Sequence, residues 1–199
     1  MNVIKIIIGS TRPQRFGPQV ASWLKKLADE EAGAAGDSVR FEVVDLAEVD
    51  LPLLDEAMPP MMNQPANEHT RRWASMVKEA DGFLFVTPEY NHSTSAALKN
   101  AIDYVIYEWA HKPVAFASYG SLAGGSRAVE HLRTIAGELK LYDLREQVMI
   151  PNYWTQLDER GNFSATDEQV DTARTTLRDL MYWTDAMKAP REKLARSTA

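Results

Sequence analysis

Short apolar runs alternate along this chain with longer stretches in which apolar residues recur every three or four positions. Val3 to Ile8 is a near-continuous apolar run, too short for a helix, and predicts a central strand buried on both faces. Val20, Trp23, Leu24, Leu27 and Ala28 then repeat at helical spacing. Val39 to Leu46 predicts a second strand, and Glu68 to Ala80 a short helix with Trp73, Val77 and Met76 facing inward. Phe83 to Val86 predicts a third strand, stopped by Pro88, which has no N–H to give a ladder. Helical spacing returns with Ala97, Leu98, Ala101, Ile102, Val105 and Ile106, and predicts a helix from Ser93 to Trp109. Pro113 to Ser118 reads as a strand, Val129 to Leu139 as one face of a helix, and Leu141 to Ile150 as containing a last strand. Thr166 is placed to cap a final helix with Val170, Ala173, Leu177, Leu180 and Met181 on its core face. Between the second strand and the Glu68 helix, residues 51–67 hold four prolines and several methionines, and predict a surface excursion. Its Met58, Met61 and Met62 fit either a contact between subunits or a cover over the core.

Five strands alternating with helices predict an α/β protein with a doubly wound parallel sheet and helices on both faces. At 199 residues, with no second half-domain, the flavodoxin-like strand order 2-1-3-4-5 is favoured. Residues 1–190 are expected to form one domain and 191–199 a frayed tail. The order makes strands 1, 3 and 4 neighbours, so the loops after Ile8, Thr87 and Ser118 should meet in one crevice. Those are the three loops of unusual composition.

A net charge of -6 and a pI near 5.3 argue against a nucleic-acid partner. The absence of cysteine excludes disulfides, thiolate metal sites and thiol nucleophiles. No apolar run approaches membrane-spanning length and no signal-peptide zones open the chain, so a cytoplasmic protein away from membranes is expected. His69, His92, His111 and His131 fall on separate segments without ligand spacing, so no metal site is expected. No G-x-S-x-G elbow signals a hydrolase triad.

The loop from Gly9 to Pro18 opens onto a helix N-terminus, whose free N–H groups and partial positive charge suit a phosphate. Ser10 and Thr11 add hydroxyls, and Arg12 and Arg15 add cations. The same residues also fit an ordinary βα loop with a capped helix and two solvated arginines. G-x-G-x-x-G and the Gly-Lys-Ser/Thr ending of a P-loop are both missing, so a single phosphate is the better match. Tyr90 offers a ring for stacking, and residues 88–93 can present backbone N–H groups. Gly120, Gly124 and Gly125 let main chain approach a planar ring. A ring at two loops and a phosphate at the third describes FMN.

Gly9-Ser10-Thr11-Arg12, Pro88 to Ser93 with Leu98 to Asp103, and Gly124-Gly125-x-Arg127-Ala128 resemble the NADPH-dependent FMN reductase family, over roughly Val3 to Ile150. The resemblance implies a flavodoxin-like fold, bound FMN, NADPH or NADH as electron donor, and a homodimer or homotetramer. It implies that Ser10, Arg12, Arg15, Phe16 and Gly17 hold the FMN phosphate. Pro88, Glu89, Tyr90 and Asn91, with Ser118, Tyr119 and Gly120, would border the isoalloxazine. Many members of the family carry Ser and Asn at the positions of Arg15 and Gly17, and Pro at that of Ser95. The expected function is hydride transfer through FMN to a small-molecule acceptor such as free flavin, a quinone or an azo compound. No catalytic side chain is required for the first transfer. The competing reading is a flavodoxin-like one-electron carrier without enzymatic activity.

Overall fold

A computed structural model describes residues 1–197, with side chains described to residue 194. Five strands form one all-parallel sheet in the order β2-β1-β3-β4-β5. They are β1 (Asn2–Ile8), β2 (Val39–Asp45), β3 (Gly82–Pro88), β4 (Pro113–Tyr119) and β5 (Tyr142–Ile150). Helices α1 (Gly17–Ala34), α2 (Leu46–Val49), α3 (Glu68–Glu79), α4 (Ala96–Asp103), α5 (Ser126–Glu138) and α6 (Asp167–Ser197) connect and flank them. The strand order and the two helical layers expected from the sequence are both observed.

Strand alternation divides the core in two. Ile4, Ile6, Ile8, Leu84, Val86, Ala115 and Ala117 face α1 and α6. Ile7, Phe83, Phe85, Val114 and Phe116 face α3, α4 and α5. Residues β1, β3 and β4 are buried from end to end, which is why they read as unbroken apolar runs. Lys5 is the exception inside β1; its ammonium is held by Glu42 and Glu79 at 3.1 and 2.8 Å.

Three expectations about elements are corrected. The helix expected to reach Trp109 ends at Asp103. Two indoles take carbonyls that a further turn would have used: Trp73 Nε1 donates to Ala101 O at 2.7 Å, and Trp109 Nε1 donates to Ile102 O at 3.2 Å. Tyr104 and Trp109 are consequently buried inside this chain, and only Tyr107 of that group stands out at 56% exposure. Of these aromatics, therefore, Tyr107 alone adds to the exposed surface. Second, Met76 points outward, and Leu46 leaves the second strand to open α2, capped by Asp45 through the Ala47 N–H. Third, residues 191–197, expected as a tail, are described as the end of α6. The helix α6 continues to Ser197, and Arg191 ion-pairs with Asp81; residues 198 and 199 lie outside the described part. The start of α6 is as expected, with Thr166 Oγ1 accepting the Gln169 N–H and Gln169 Oε1 accepting the Thr166 N–H.

The excursion over residues 51–67 is fastened to α4. Asn100 donates to Pro52 O and accepts the Leu54 N–H, while Tyr104 Oη donates to Pro52 O. Met58, Met61 and Met62 remain exposed.

At the opposite end of the sheet from the expected crevice, Lys112 is buried, and its Nζ donates to Val77 O and Lys78 O at 2.8 and 3.2 Å. Burial pushes its pKa down from 10.5 to about 7, with the positive charge of Arg191 acting in the same direction. Between those two values the unfolded chain binds a proton that the native protein does not, so Lys112 makes stability rise with pH. The slope is at most about 1.4 kcal/mol per pH unit. Urea unfolding of wild type and Lys112→Met at pH 7 and pH 9 is expected to show wild type gaining about 2 kcal/mol on the variant. A difference that stays constant would mean that Lys112 remains charged in the fold.

Candidate functional site

The carboxyl ends of β1, β3 and β4 are aligned by register, Ile8 beside Val86 and Pro88 beside Tyr119. Loop 1 (residues 9–16), loop 3 (89–95) and loop 4 (120–125) therefore meet at one end of the sheet. This is the switch point of a doubly wound fold.

Loop 1 crosses the end of β3 at Gly9, whose N–H donates to Val86 O at 2.8 Å. A Cβ there would lie 3.0 Å from Leu98 Cδ2 and 3.2 Å from Val86 O. Ser95 Oγ donates to Gly9 O and accepts the Leu98 N–H, so one hydroxyl both clamps loop 1 and caps α4. That is what Ser95 does where many family members have Pro.

Ser10 is fully buried, and its Oγ is hydrogen-bonded to Tyr90 Oη at 2.9 Å, which ties loop 1 to loop 3. Arg12 is exposed; a hydrogen bond to Tyr90 pushes its guanidinium pKa up. Arg15 turns away and ion-pairs with Asp45 at the end of β2, leaving its Nε buried without a partner. Phe16 does not face the crevice with its ring. It stacks on Tyr153 at 4.5 Å and meets Tyr119 edge-on at 5.2 Å, buried in an aromatic cluster. Gly17 opens α1 with no room for a side chain: a Cβ would lie 2.9 Å from Ile8 Cγ2 and 3.1 Å from Tyr119 Oη.

Loop 3 is a tight reversal. Tyr90 and Ser93 exchange backbone hydrogen bonds of 2.8 and 3.0 Å, and Asn91 and His92 both have positive φ, 49° and 67°. That is the geometry of a type I′ turn. It directs the Asn91 and His92 N–H groups outward, without an intramolecular partner among the described residues. His131 Nδ1 is hydrogen-bonded to Ser93 Oγ at 2.9 Å. Tyr90 is 39% exposed beside this turn. Pro88 ends β3, and the Glu89 N–H donates to Tyr119 O at 3.1 Å.

The Glu89 carboxylate serves structure. It accepts Arg127 Nε at 2.6 Å and the Arg127 backbone N–H at 3.2 Å, so loop 3 holds the first turn of α5. Ser118 is likewise turned inward, fully buried, donating to Gly124 O at 2.7 Å and accepting Gln147 Nε2 at 2.8 Å. Tyr119 swings its ring toward loop 1, and its Oη lies buried without a hydrogen-bond partner. Burial pushes that phenol pKa up, which keeps it a neutral donor. Gly120 packs against Glu89 and Gly125, with a Cβ position 3.5 Å from Glu89 Cβ.

Of the twelve residues named from the sequence, Arg12, Tyr90 and Asn91 are exposed at this end of the sheet and Gly120 is half-buried there, while Ser10, Gly17 and Pro88 are buried within the loops and strand end. Arg15, Phe16, Glu89 and Ser118 have their side chains engaged elsewhere. Tyr119 belongs to the loop 1 side rather than to loop 4. Sequence reasoning missed Asp45, Arg127 and Gln147 as partners. The strand order alone could have suggested Asp45, because the end of β2 must lie beside the loop that carries Arg15. Among the described residues no helix is long and apolar enough to cross a membrane, and no cluster of His, Asp and Glu could hold a metal ion.

The NADPH-dependent FMN reductase family matches residues 1–155. The chain is 39% identical over 140 residues to an NAD(P)H-dependent FMN reductase of Schizosaccharomyces pombe, covering 69% of this chain and 67% of that one. It is 36% identical over 144 residues to an NAD(P)H-dependent FMN reductase of Saccharomyces cerevisiae, covering 69% and 75%. In fold it is similar to the flavoenzyme NAD(P)H:(acceptor) oxidoreductase FerB of Paracoccus denitrificans. The TM-score is 0.72 at 19% identity, over 94% of this chain and 99% of the other.

Proposed function

The chain belongs to the NADPH-dependent FMN reductase family and is an oxidoreductase; on that premise we propose that it binds FMN in the crevice between loops 1, 3 and 4 and reduces a small-molecule acceptor. The observation that carries this reading is the set of unspent donors at loop 1. Buried Tyr119 Oη lacks a partner and exposed Arg12 forms no ion pair among the described residues, and both stand beside the α1 N-terminus, whereas Arg15 is committed to Asp45. Buried donors without partners are costly and call for an acceptor, which a phosphate would provide. The residues fit the group on the ring side too. The Asn91 and His92 N–H groups are free to meet ring nitrogens and carbonyls, and Gly120 keeps loop 4 thin.

Bound FMN would supply hydride acceptance from NADPH or NADH and delivery of electrons to the acceptor. The chain's own residues bind and orient. Arg12 and the α1 N-terminus would neutralise the phosphate, Ser10 would hold Tyr90 against loop 1, and Glu89 with Arg127 would fix the spacing of loops 3 and 4. None of these groups needs to move a proton for the first transfer.

Relatives named for quinone and azo substrates, a 2-hydroxy-1,4-benzoquinone reductase of Burkholderia and an NADPH azoreductase of Bacillus, support an acceptor of the quinone or azo class. Anaerobic mixing of the FMN-loaded protein with NADPH, and separately with NADH, is expected to bleach the flavin absorbance without an added reductase. Absorbance that neither nucleotide changes would reject this reading and leave a one-electron carrier. We also propose that the protein works as a homodimer or homotetramer, supported by exposed Leu53, Met61, Met62 and Tyr107 beside α4. Light scattering that returned the monomer mass of 22.4 kDa at micromolar concentration would reject it.

A further inference from the structure

A two-electron reduction of a quinone takes up one proton besides the hydride, so the acceptor half of the proposed reaction needs an acid at this end of the sheet. Most acids there are committed. Glu89 is held by Arg127, Asp45 by Arg15, and the Tyr90 hydroxyl by Ser10. Tyr119 is buried with its phenol pKa pushed up, and a guanidinium such as that of Arg12 does not give up its proton.

Loop 3 carries three consecutive hydroxyls with different partners. Thr94 Oγ1 is bonded to Thr87 Oγ1 at 2.9 Å, and Ser95 Oγ is engaged by Gly9 O and the cap of α4. Ser93 Oγ instead meets a titratable group, His131 Nδ1 of α5, at 2.9 Å. Ser93 is half-buried, next to the Asn91 and His92 N–H groups proposed for the flavin ring, whereas His131 is exposed to solvent. Both line a cavity of about 500 Å³ between α4 and α5, which Lys99 also lines and no carboxylate does. Of the charges around the imidazole, Lys99 of α4 is paired with Asp103, Glu130 of α5 with Arg133, and Glu89 of loop 3 with Arg127. The His92 imidazole, at the tip of the turn, has no hydrogen bond to hold it among the described residues. A cationic imidazole has two N–H donors and no acceptor. Protonated His131 must then donate from Nδ1 to Ser93 Oγ, which frees the serine hydrogen for a second acceptor. Imidazole is also the side chain that exchanges a proton in the neutral range.

We propose that His131, acting through the Ser93 hydroxyl, supplies the proton that a quinone acceptor takes up together with the hydride. The proposal rests on the oxidoreductase reading above. As the hydride reaches the quinone, negative charge gathers on its oxygen. Ser93 gives that oxygen its hydrogen and regains one from His131 Nδ1. Quinone, hydride and one proton thus yield hydroquinone, and His131 is left neutral, to be recharged from solvent at its exposed ring. Ser93 is the group that meets the acceptor, and His131 acts behind it.

The test follows the FMN-loaded protein, reduced anaerobically with NADPH or NADH, as 1,4-benzoquinone or ferricyanide reoxidises it. Ferricyanide takes one electron and no proton. His131→Gln and Ser93→Ala are each expected to slow the quinone about a hundredfold, the lower end of what a positioned acid supplies, and to change the ferricyanide rate less than about twofold. A binding measurement stands beside the rates. Pentafluorophenolate, ionised at neutral pH, presents an anionic oxygen to the oxidised, FMN-loaded protein. Its affinity by calorimetry should rise about tenfold from pH 8 to pH 6, where imidazole side chains ordinarily gain a proton, and both variants should abolish that rise. Quinone and ferricyanide rates that fall together, or FMN that dissociates, would mean that His131 only pins the turn and would overturn the proposal. So would a quinone rate or a phenolate affinity that neither variant moves. Should His131→Gln fail to fold, Ser93→Ala decides, because the main chain of Ser93, not its hydroxyl, closes the turn. Bleaching of the wild type separates the two levels. Normal bleaching with an unselective loss rejects the proton assignment alone, whereas no bleaching by either nucleotide rejects the parent reading and this proposal with it.

Discussion

Arg12→Ala is expected to weaken FMN about ten- to a hundredfold and to leave riboflavin affinity nearly unchanged. The two flavins share a ring and differ by the phosphate, so the comparison isolates the contacts of loop 1. A charge-assisted hydrogen bond to a phosphate carrying nearly two negative charges is worth about 1.5–3 kcal/mol. With each 1.4 kcal/mol a factor of ten, one or two such bonds give the stated range. The structure sharpens the reason for choosing Arg12 over Arg15. Arg12 is exposed and has only the Tyr90 hydroxyl beside it, whereas Arg15 is committed to Asp45. Arg12→Ala should therefore fold normally. Arg15→Ala should instead lose stability, because it strands a half-buried carboxylate at the end of β2. Equal losses for FMN and riboflavin in Arg12→Ala would place its guanidinium away from the phosphate and undo the assignment of loop 1.

Gly125→Ala should cost about 2–5 kcal/mol, the sum of two independent penalties. Gly125 has φ +87°, where an L-residue loses roughly 1–2 kcal/mol. Its added Cβ would also lie 2.6 Å from Ser118 Cβ and 3.0 Å from Tyr119 N, atoms of a buried strand that cannot step aside. Overpacking of that kind adds roughly 1–3 kcal/mol. For a chain of this size each kcal/mol moves the midpoint by about 2–4 °C, so thermal unfolding should shift down by roughly 4–20 °C. FMN affinity should fall with it, because the same loop keeps Gly120 against Glu89. A midpoint within about 2 °C of wild type would mean that loop 4 relaxes freely and that the glycine is there for another reason.

Much of the fold was legible because burial leaves a periodic trace. Val3 to Ile8, Phe83 to Val86 and Pro113 to Ser118 are apolar at nearly every position because both of their faces are covered, and the structure buries them throughout. Strand order followed from topology, and topology brought the three loops together. The cap at Thr166 was readable because its hydroxyl takes an N–H three residues on, within reach of local geometry; the return bond from Gln169 is seen only in the structure.

What could not be read depends on partners distant in sequence. The spacing from Ala97 to Trp109 is helical, yet the helix stops at Asp103 because Trp73, 28 residues before Ala101, takes the Ala101 carbonyl. Arg12 and Arg15 look alike in the chain, and only the placement of Asp45 beside β1 separates them. Ser118 and Tyr119 are neighbours in sequence, but strand alternation sends one hydroxyl inward to Gly124 and the other phenol to loop 1. The amino-acid sequence by itself therefore determined which segments are buried, what elements they form and which loops meet, since those follow from local propensity and hydrophobic periodicity. Which donor in those loops is left unspent was decided by tertiary structure alone, because a hydrogen bond or ion pair is fixed by the position of a second group that the local pattern does not encode.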